Sequence, residues 1–302
     1  MELRHLRYFS AVAEELNFTR AAARLGIGQP PLSQQIQQLE REIGTPLFYR
    51  PPRGVSLTEA GKRFLRDAQE ILSLSDRALE NARRASRGET GTLRVGFTSS
   101  AAFHPFVSAI IRDFGIAYPD VGINLIEDTT TQLLQALNSS RLDAAFMRPA
   151  SGEARSLECH LLFKEPMLVA LPSGHRCAAQ SRIPLAALCD ETFVLYPRRN
   201  GRALHDAIIQ ACEQAGFQPR IAQEGPQMAT TINLVAAGVG VSIVPASMSQ
   251  IQARGVHFRE IAGPGPRAAL SLVSLQSDAA SPLRNFVDLV LRHVRDGQMG
   301  RD

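Results

Sequence analysis

The sequence predicts an N-terminal all-α winged helix-turn-helix running into a long linker helix, followed by a C-terminal α/β domain. Three observations carry this. The first 58 residues place apolar residues at three- and four-residue steps in three short segments, and then show two short apolar segments around a Pro/Gly turn. Between Gly61 and Gly88 no Gly or Pro interrupts the chain. Beyond Gly91, short apolar runs alternate with helical periods to the end of the sequence.

In the first segment Leu3, Leu6, Phe9, Val12, Ala13 and Leu16 mark an amphipathic helix. Phe18 and Thr19 are expected as a staple residue and an N-cap, opening a short helix over 20–25 that stops at Gly26. A tight connection, Ile27-Gly28-Gln29, leads to Pro30-Pro31, because proline in a first helical turn forfeits no hydrogen bond. The third helix turns Leu32, Ile36, Leu39 and Ile43 inward and ends at Gly44. Its other face presents Ser33, Gln34, Gln37, Gln38 and Arg41. Polar side chains of this kind read base edges in a major groove, and glutamine makes a bidentate pair with adenine. A solvated stripe is the plainer alternative, but the preceding short helix and Gly-containing turn favour recognition. Residues 47–57 read as a two-stranded wing with Arg50 and Arg53 at its tip, suited to phosphate or minor-groove contact.

Leu65, Leu72 and Leu79 recur every seven residues, with Ala68, Ser75 and Ala82 three later, and Phe64, Ile71 and Ala78 broaden the stripe. Large and small residues at heptad positions predict a dimer seam over 59–88, against the alternative of a helix packed on its own domain. Gly88-Glu89-Thr90-Gly91 reads as a flexible hinge. Strands are then expected at 93–97, 123–126, 144–146, 167–171, 193–196 and 241–244, and helices at 106–117, 131–139, 203–215 and 230–237. Together they imply a parallel sheet covered on both faces. Positions after strand ends, where a cleft forms in such sheets, hold Thr98-Ser99-Ser100, Asp128-Thr129-Thr130-Thr131, Arg148, Arg198, Arg199 and Arg202. Hydroxyls, helix N-termini and guanidinium groups there would hold a small organic anion.

Composition is permissive. Apolar residues make up 44% and charged residues 21%, and no apolar run reaches the ~20 residues that cross a bilayer. The charged start Met1-Glu2-Leu3-Arg4 lacks an export signal, so a cytoplasmic location and no membrane partner are expected. The net charge of +4 is thinly spread and carries little by itself. Cys159, Cys177, Cys189 and Cys212 lack metal or disulfide spacing and are expected as reduced, mostly packed thiols, with no metal and no cofactor. Gly238-Val239-Gly240 alone does not make a dinucleotide site, and no Gly-x-Ser-x-Gly or His-x-x-x-His occurs, so an enzyme is disfavoured. A transport-type solute-binding protein would not need the helix-turn-helix. A purely architectural DNA binder would not need two hundred residues of cleft pattern.

Four runs lie in order: residues 2–9, Phe18-Thr19-Arg20-Ala21-Ala22, the stretch from Gln29 to Glu40, and Leu57-Thr58-Glu59-Ala60-Gly61. With them the chain resembles the LysR-type transcriptional regulators, and within them the branch governing aromatic-compound and catechol/muconate catabolism. The resemblance implies that Gln29, Ser33, Gln34 and Gln37 face bases, with Thr19, Pro30 and Arg53 at the backbone or groove edge. It implies a periplasmic-binding-protein-like C-terminal region of two lobes joined by crossover strands, lobe I over about 92–161 and 268–302 and lobe II over about 162–267. It points to Ser100 and Thr130 as hydroxyl donors, beside Ser99 and Arg148, with Arg202, Ala203 and Leu204 on the facing lobe. The expected partners are a double-stranded operator, an organic-acid inducer from aromatic catabolism, a second copy through the linker helix, a homotetramer of two such dimers, and RNA polymerase.

Overall fold

A computed structural model describes residues 1–51, 54–276 and 281–299. The chain divides into two units, Met1–Arg84 and Ala85–Asp302.

The first unit begins with α1 (Leu3–Glu15), α2 (Phe18–Leu25) and α3 (Gln29–Ile43). Helix α1 ends where Leu16 takes a left-handed φ of 46°. Leu3 and Leu16, expected in the buried stripe, are 42% and 46% exposed at the two ends, beyond the reach of the core. The cap of α2 is Asn17, whose Oδ1 accepts from the backbone N–H groups of Thr19 (2.9 Å) and Arg20 (3.0 Å). Thr19 is therefore the second helical residue, not the cap; the amide one position before the expected staple outcompetes the threonine hydroxyl. Gly26 and Gly44 close α2 and α3 in the left-handed conformation. The wing forms as expected, β1 (Phe48–Tyr49) antiparallel to β2 (Ser56–Leu57).

Helix α4 (Glu59–Ser86) follows without a loop. The Thr58 hydroxyl accepts from the N–H of Gly61 (2.9 Å) and donates to the carbonyl of Pro46 (2.9 Å), tying the helix start to the wing. A side chain at Gly61 would put its Cβ 2.1 Å from the Leu47 carbonyl oxygen, so only glycine lets α4 approach this closely. The first half of the leucine stripe packs inside its own unit. Ala68 is buried, and Phe64, Leu65 and Leu72 pack on a core of Leu6, Phe9, Leu32, Ile36 and Phe48. The Phe9 and Phe64 rings lie 5.0 Å apart, edge to face. The leading turns of α4 therefore lie in part against Phe9, so the first half of the expected heptad stripe also packs on this unit's own core. From Ile71 onward large apolar side chains are left more exposed, with Ile71 40%, Leu74 61% and Leu79 54% exposed.

In the second unit the chain runs β3 (Gly91–Phe97), α5 (Ser99–Ala102), α6 (Pro105–Ala117), β4 (Val121–Glu127), α7 (Thr130–Asn138) and β5 (Ala144–Met147). The long β6 (Glu158–Pro172) follows, then β7 (Arg182–Ile183), β8 (Thr192–Leu195), α8 (Arg202–Gln214), β9 (Arg220–Glu224), α9 (Met228–Ala236) and β10 (Ser242–Pro245). The chain finishes with β11 (Val256–Ile261), β12 (Arg267–Ser274) and α10 (Pro282–Met299). The sheet is mixed and not all parallel. Strand β3 runs parallel to β4 and β5, but β12 lies antiparallel between β5 and β6. Fifteen residues of β6 span about 50 Å. The first half pairs with β12, and residues 167–172 pair antiparallel with β10 and β11. One strand thus serves both lobes, each with its own core, one around Val95, Phe114, Phe146 and Phe286 and the other around Val169, Phe193, Leu195 and Ile243.

The expected hinge is anchored. Asn285 on α10 donates to the carbonyls of Arg87 (2.9 Å) and Gly88 (3.1 Å), and a Cβ on Gly88 would meet Ser281 at 2.4 Å. Glycine there permits close packing at a φ of 66°, and the segment is held on both sides. Two thiols, Cys177 and Cys212, are buried, whereas Cys159 and Cys189 are exposed, against the expectation of mostly packed thiols. Among the described residues no helix is long and apolar enough to cross a membrane.

Candidate functional site

The polar face of α3 is set by what its opposite face buries. Leu32, Ile36 and Leu39 are fully buried, which leaves Gln29, Pro30, Gln34 and Gln37 exposed and Ser33 half-buried on the other side. Thr19 is exposed near the start of α2. A further bond fixes the rotation of α3. The Glu2 backbone N–H donates to Nδ1 of His5 (3.2 Å), so the opposite ring nitrogen carries the proton and donates to Oε1 of Gln35 (2.9 Å). His5 is buried, and Gln35 is thereby taken out of the outward-facing set.

Arg50 does not project from the wing tip. It leaves the end of β1 and folds back, one terminal nitrogen 2.8 Å from Glu40 Oε2 and its guanidinium 5.1 Å from the Phe18 ring centroid. The pull is electrostatic, because Glu40 is only 14% exposed and already accepts from the N–H groups of Leu47 (2.9 Å) and Phe48 (3.1 Å). Glu40 thus holds wing and recognition helix together, a role that no spacing in the sequence marks. Arg53 lies outside the described residues.

In the second unit, Thr98, Ser99, Ser100, Thr130, Arg148 and Leu204 line one small cleft, whose cavity is about 20 Å³ and open at its mouth. Tyr196, Gly201 and Met228 complete its wall. The helix starts of α7, α8 and α9 converge on it through Thr130, Gly201 and Met228, bringing backbone N–H groups and the positive ends of three helix dipoles together. Arg148 is 2% exposed. Its Nε donates to the Ser100 hydroxyl (3.1 Å), and one terminal nitrogen to Oε1 of Glu165 (2.5 Å). Burial lowers its pKa and the Glu165 carboxylate offsets the loss, so a group with so high an ordinary value stays charged. Its other terminal nitrogen is buried without a partner, as is the hydroxyl of Thr98. Unsatisfied buried polar atoms are costly, and this cleft holds two of them.

Glu165 comes from β6. Its Oε2 accepts from the Ser247 N–H (2.6 Å) and its Oε1 from the Ser247 hydroxyl (3.0 Å), which joins lobe II to the arginine of lobe I. The lobes also meet where the Thr131 hydroxyl donates to the Arg199 carbonyl (2.8 Å). Burial and the nearby charge of Asp128 raise the pKa of Tyr196, which remains a neutral phenol donating to the Asn200 carbonyl (3.1 Å).

Two expected cleft residues are displaced. Arg202 is 53% exposed and turns out toward Glu153 (3.7 Å), because the first side chain of α8 projects away from the helix axis that aims into the cleft. Ala203 sits on the adjacent half-buried face, outside the lining set. Arg198 and Arg199 are likewise drawn outward, to Asp206 (2.7 Å) and Glu224 (3.4 Å). The logic of strand ends and helix starts that selects Ser100 and Thr130 also reaches Tyr196, Gly201 and Met228. It cannot reach Glu165 or Ser247, whose meeting depends on the crossover strand.

Comparison with known proteins agrees with both halves. The model of the bacterial regulatory helix-turn-helix protein, lysR family, matches residues 3–62, and that of the LysR substrate binding domain matches 86–295. The HTH-type transcriptional regulator BudR of Raoultella terrigena is 40% identical over 289 residues, 96% of this chain and 100% of that protein. The HTH-type transcriptional regulator CatR of Pseudomonas putida is 35% identical over 294 residues, 97% of this chain and 100% of that protein. The crystal structure of CbnR, a LysR family transcriptional regulator, superposes with a TM-score of 0.85 at 31% identity, covering 96% of this chain and 100% of that one. Full-length CbnR complexed with its target DNA gives a TM-score of 0.81 at 30% identity, covering 97% and 100%. The chain belongs to the LysR family of DNA-binding transcriptional regulators, which are not enzymes.

Proposed function

We propose that this regulator reads its operator through Gln29, Ser33, Gln34 and Gln37, with Thr19, Pro30 and Arg53 at the phosphates or groove edge, and that a small organic carboxylate bound at Arg148 controls it. The unpartnered terminal nitrogen of the buried Arg148 carries the ligand half of this proposal. A carboxylate oxygen in the cleft satisfies that nitrogen and the Thr98 hydroxyl together, and charge-assisted bonds of this type are the strong ones. Ser100, Ser99 and Thr130 stand beside it and Leu204 opposite. Likeness to CatR and CbnR supports an aromatic-compound catabolite as the source of that carboxylate, and likeness to a protein crystallised on its target DNA supports the operator half. Two copies joined along the far half of α4 would set two recognition helices on paired half-sites, two such dimers would form the tetramer, and RNA polymerase is the partner that a regulator engages at a promoter.

Calorimetric titration of the full-length protein with benzoate and the acids of its breakdown tests the ligand half. Ser100→Ala and Thr130→Val should each weaken binding by about 1–2 kcal/mol while sparing operator affinity. Unchanged affinity in both variants refutes the assignment. For the DNA half, Ser33→Ala should lose discrimination between a selected operator and random duplex; equal discrimination counts against α3 as the reading element.

A further inference from the structure

We infer that the cleft accepts a carboxylate of single charge and rejects dicarboxylates, and that Glu165 sets this limit. The inference rests on the proposal that a carboxylate binds at Arg148, and it deepens that proposal.

Among the described residues lining the cleft, Arg148 is the one charged group. Its charge is already half spoken for. Glu165 takes one terminal nitrogen at 2.5 Å and is fixed there by both Ser247 donors, so it cannot swing away when a ligand arrives. The buried pair sums to zero, and a bound monocarboxylate makes the site singly negative, a charge that the converging N-termini of α7, α8 and α9 offset in part. A second carboxylate would find no cation. The arginines nearest in the chain point outward to partners of their own: Arg198 to Asp206, Arg199 to Glu224 and Arg202 to Glu153. Asp128 stands close enough for its charge to act on the Tyr196 hydroxyl, so the rim adds negative charge as well.

The rest of the wall is apolar or neutral. Leu204 is 7% and Met228 2% exposed, and Tyr196 keeps its proton. Such a surface welcomes a hydrocarbon tail and penalises an ion that must shed its water. The cavity itself is only about 20 Å³, room for little more than a water-sized group, so a carboxylate head fills it and any tail must be short or lie in the open mouth.

The test compares small carboxylates of one and two charges. Full-length protein is titrated with succinate and with its monomethyl ester, and separately with butanoate, benzoate and cis,cis-muconate. The half-ester should bind at least tenfold more tightly than succinate, and muconate should bind more weakly than the better of butanoate and benzoate. Which of those two binds better distinguishes an aliphatic from an aromatic source. In Glu165→Gln, which keeps one of the two accepting oxygens and frees the arginine charge, the preference should move at least tenfold toward succinate. Succinate or muconate binding as tightly as the single-charge acids, and weakened in Ser100→Ala, overturns the charge limit but leaves the cleft in place. Absence of any Ser100-dependent binding across all five acids overturns both. The ester comparison stands on wild-type protein, so it decides the question even if Glu165→Gln fails to fold.

Discussion

Replacing Glu40 with alanine tests whether one carboxylate couples the wing to the recognition helix. In wild type it accepts from the Leu47 N–H at 2.9 Å and the Phe48 N–H at 3.1 Å, and it pairs with Arg50 at 2.8 Å. The Leu47 and Phe48 side chains are 1% and 4% exposed, so these donors cannot all turn to water when the acceptor is lost. Hydrogen bonds to a charged group each contribute about 1.5–3 kcal/mol, and partial solvation of the wing discounts the sum to about 2–4 kcal/mol for the pair. The Arg50 pair is partly exposed and adds at most about 1 kcal/mol. Hydrogen exchange on the full-length protein reads this locally. Amides in 47–57 should open about 30- to 1,000-fold more often in Glu40→Ala, because each 1.4 kcal/mol is tenfold. Amides of β3 and β6 should be unaffected. Glu40→Gln should fall between, since a neutral oxygen still accepts, and by releasing Arg50 it should steepen the salt dependence of DNA binding by about one phosphate contact. Wild-type exchange rates across 47–57 in Glu40→Ala would refute the coupling.

Three further outcomes are expected. Leu74→Arg, at a side chain 61% exposed, should reduce self-association at least a hundredfold in sedimentation equilibrium without changing the circular dichroism, whereas Leu72→Arg should instead destabilise the first unit, whose core it touches; a Leu74→Arg dimer of wild-type affinity would move the seam elsewhere. Asp206 is held below the ordinary carboxylate range, mainly by its hydrogen bonds from Arg198, so the stability it contributes is present above the unfolded carboxylate value and lost as pH falls through the lower folded one; Arg198→Gln should flatten the melting temperature's dependence on pH in that acid window, and an unchanged slope would dismiss the linkage. Native alkylation at pH 8 should modify Cys159 and Cys189 and spare Cys177 and Cys212, with burial pushing the Cys212 thiol up to about 11; rapid labelling of Cys212 would contradict its packing.

What was legible in the sequence follows the range of the interactions involved. Helices α1 to α3, the wing and five strands of the second unit (β3, β4, β5, β8 and β10) are set by local periodicity and by Gly and Pro, and they fall within a residue or two of expectation, whereas β7, β9, β11, β12 and α10 were not expected at all. Two departures have local causes: Asn17 caps two residues earlier than Thr19, and Pro166 with Lys164 and Glu165 hides the first half of β6. Long-range pairing was not legible. Nothing near Glu40 announces Arg50, and nothing near Arg148 announces Glu165 or Ser247. The leucine repeat of α4 gave a true periodicity with two partners, one half packed on Phe9 and Phe48 and the other uncovered. A repeat alone cannot tell which neighbour each turn meets.

The same topology explains why the cleft can report its occupancy. Ser100 and Arg148 belong to lobe I and Ser247 to lobe II, and Glu165 stands between them on the strand both lobes share. Opening the lobes must stretch the Glu165–Ser247 bonds or the Glu165–Arg148 pair, together with the Thr131–Arg199 bond across the mouth. A ligand can shift the arrangement only by binding one state better than the other. A carboxylate bound as proposed at the free nitrogen of Arg148 would do so, because it would draw on the same guanidinium that Glu165 uses to bridge the lobes. Ser247→Ala removes the hydroxyl half of the bridge, keeps the backbone N–H on Glu165 and leaves every lining side chain in place, so it should reduce the change in operator occupancy on adding ligand more than it reduces ligand affinity. A proportional loss of both would mean that the bridge holds the site together and transmits nothing.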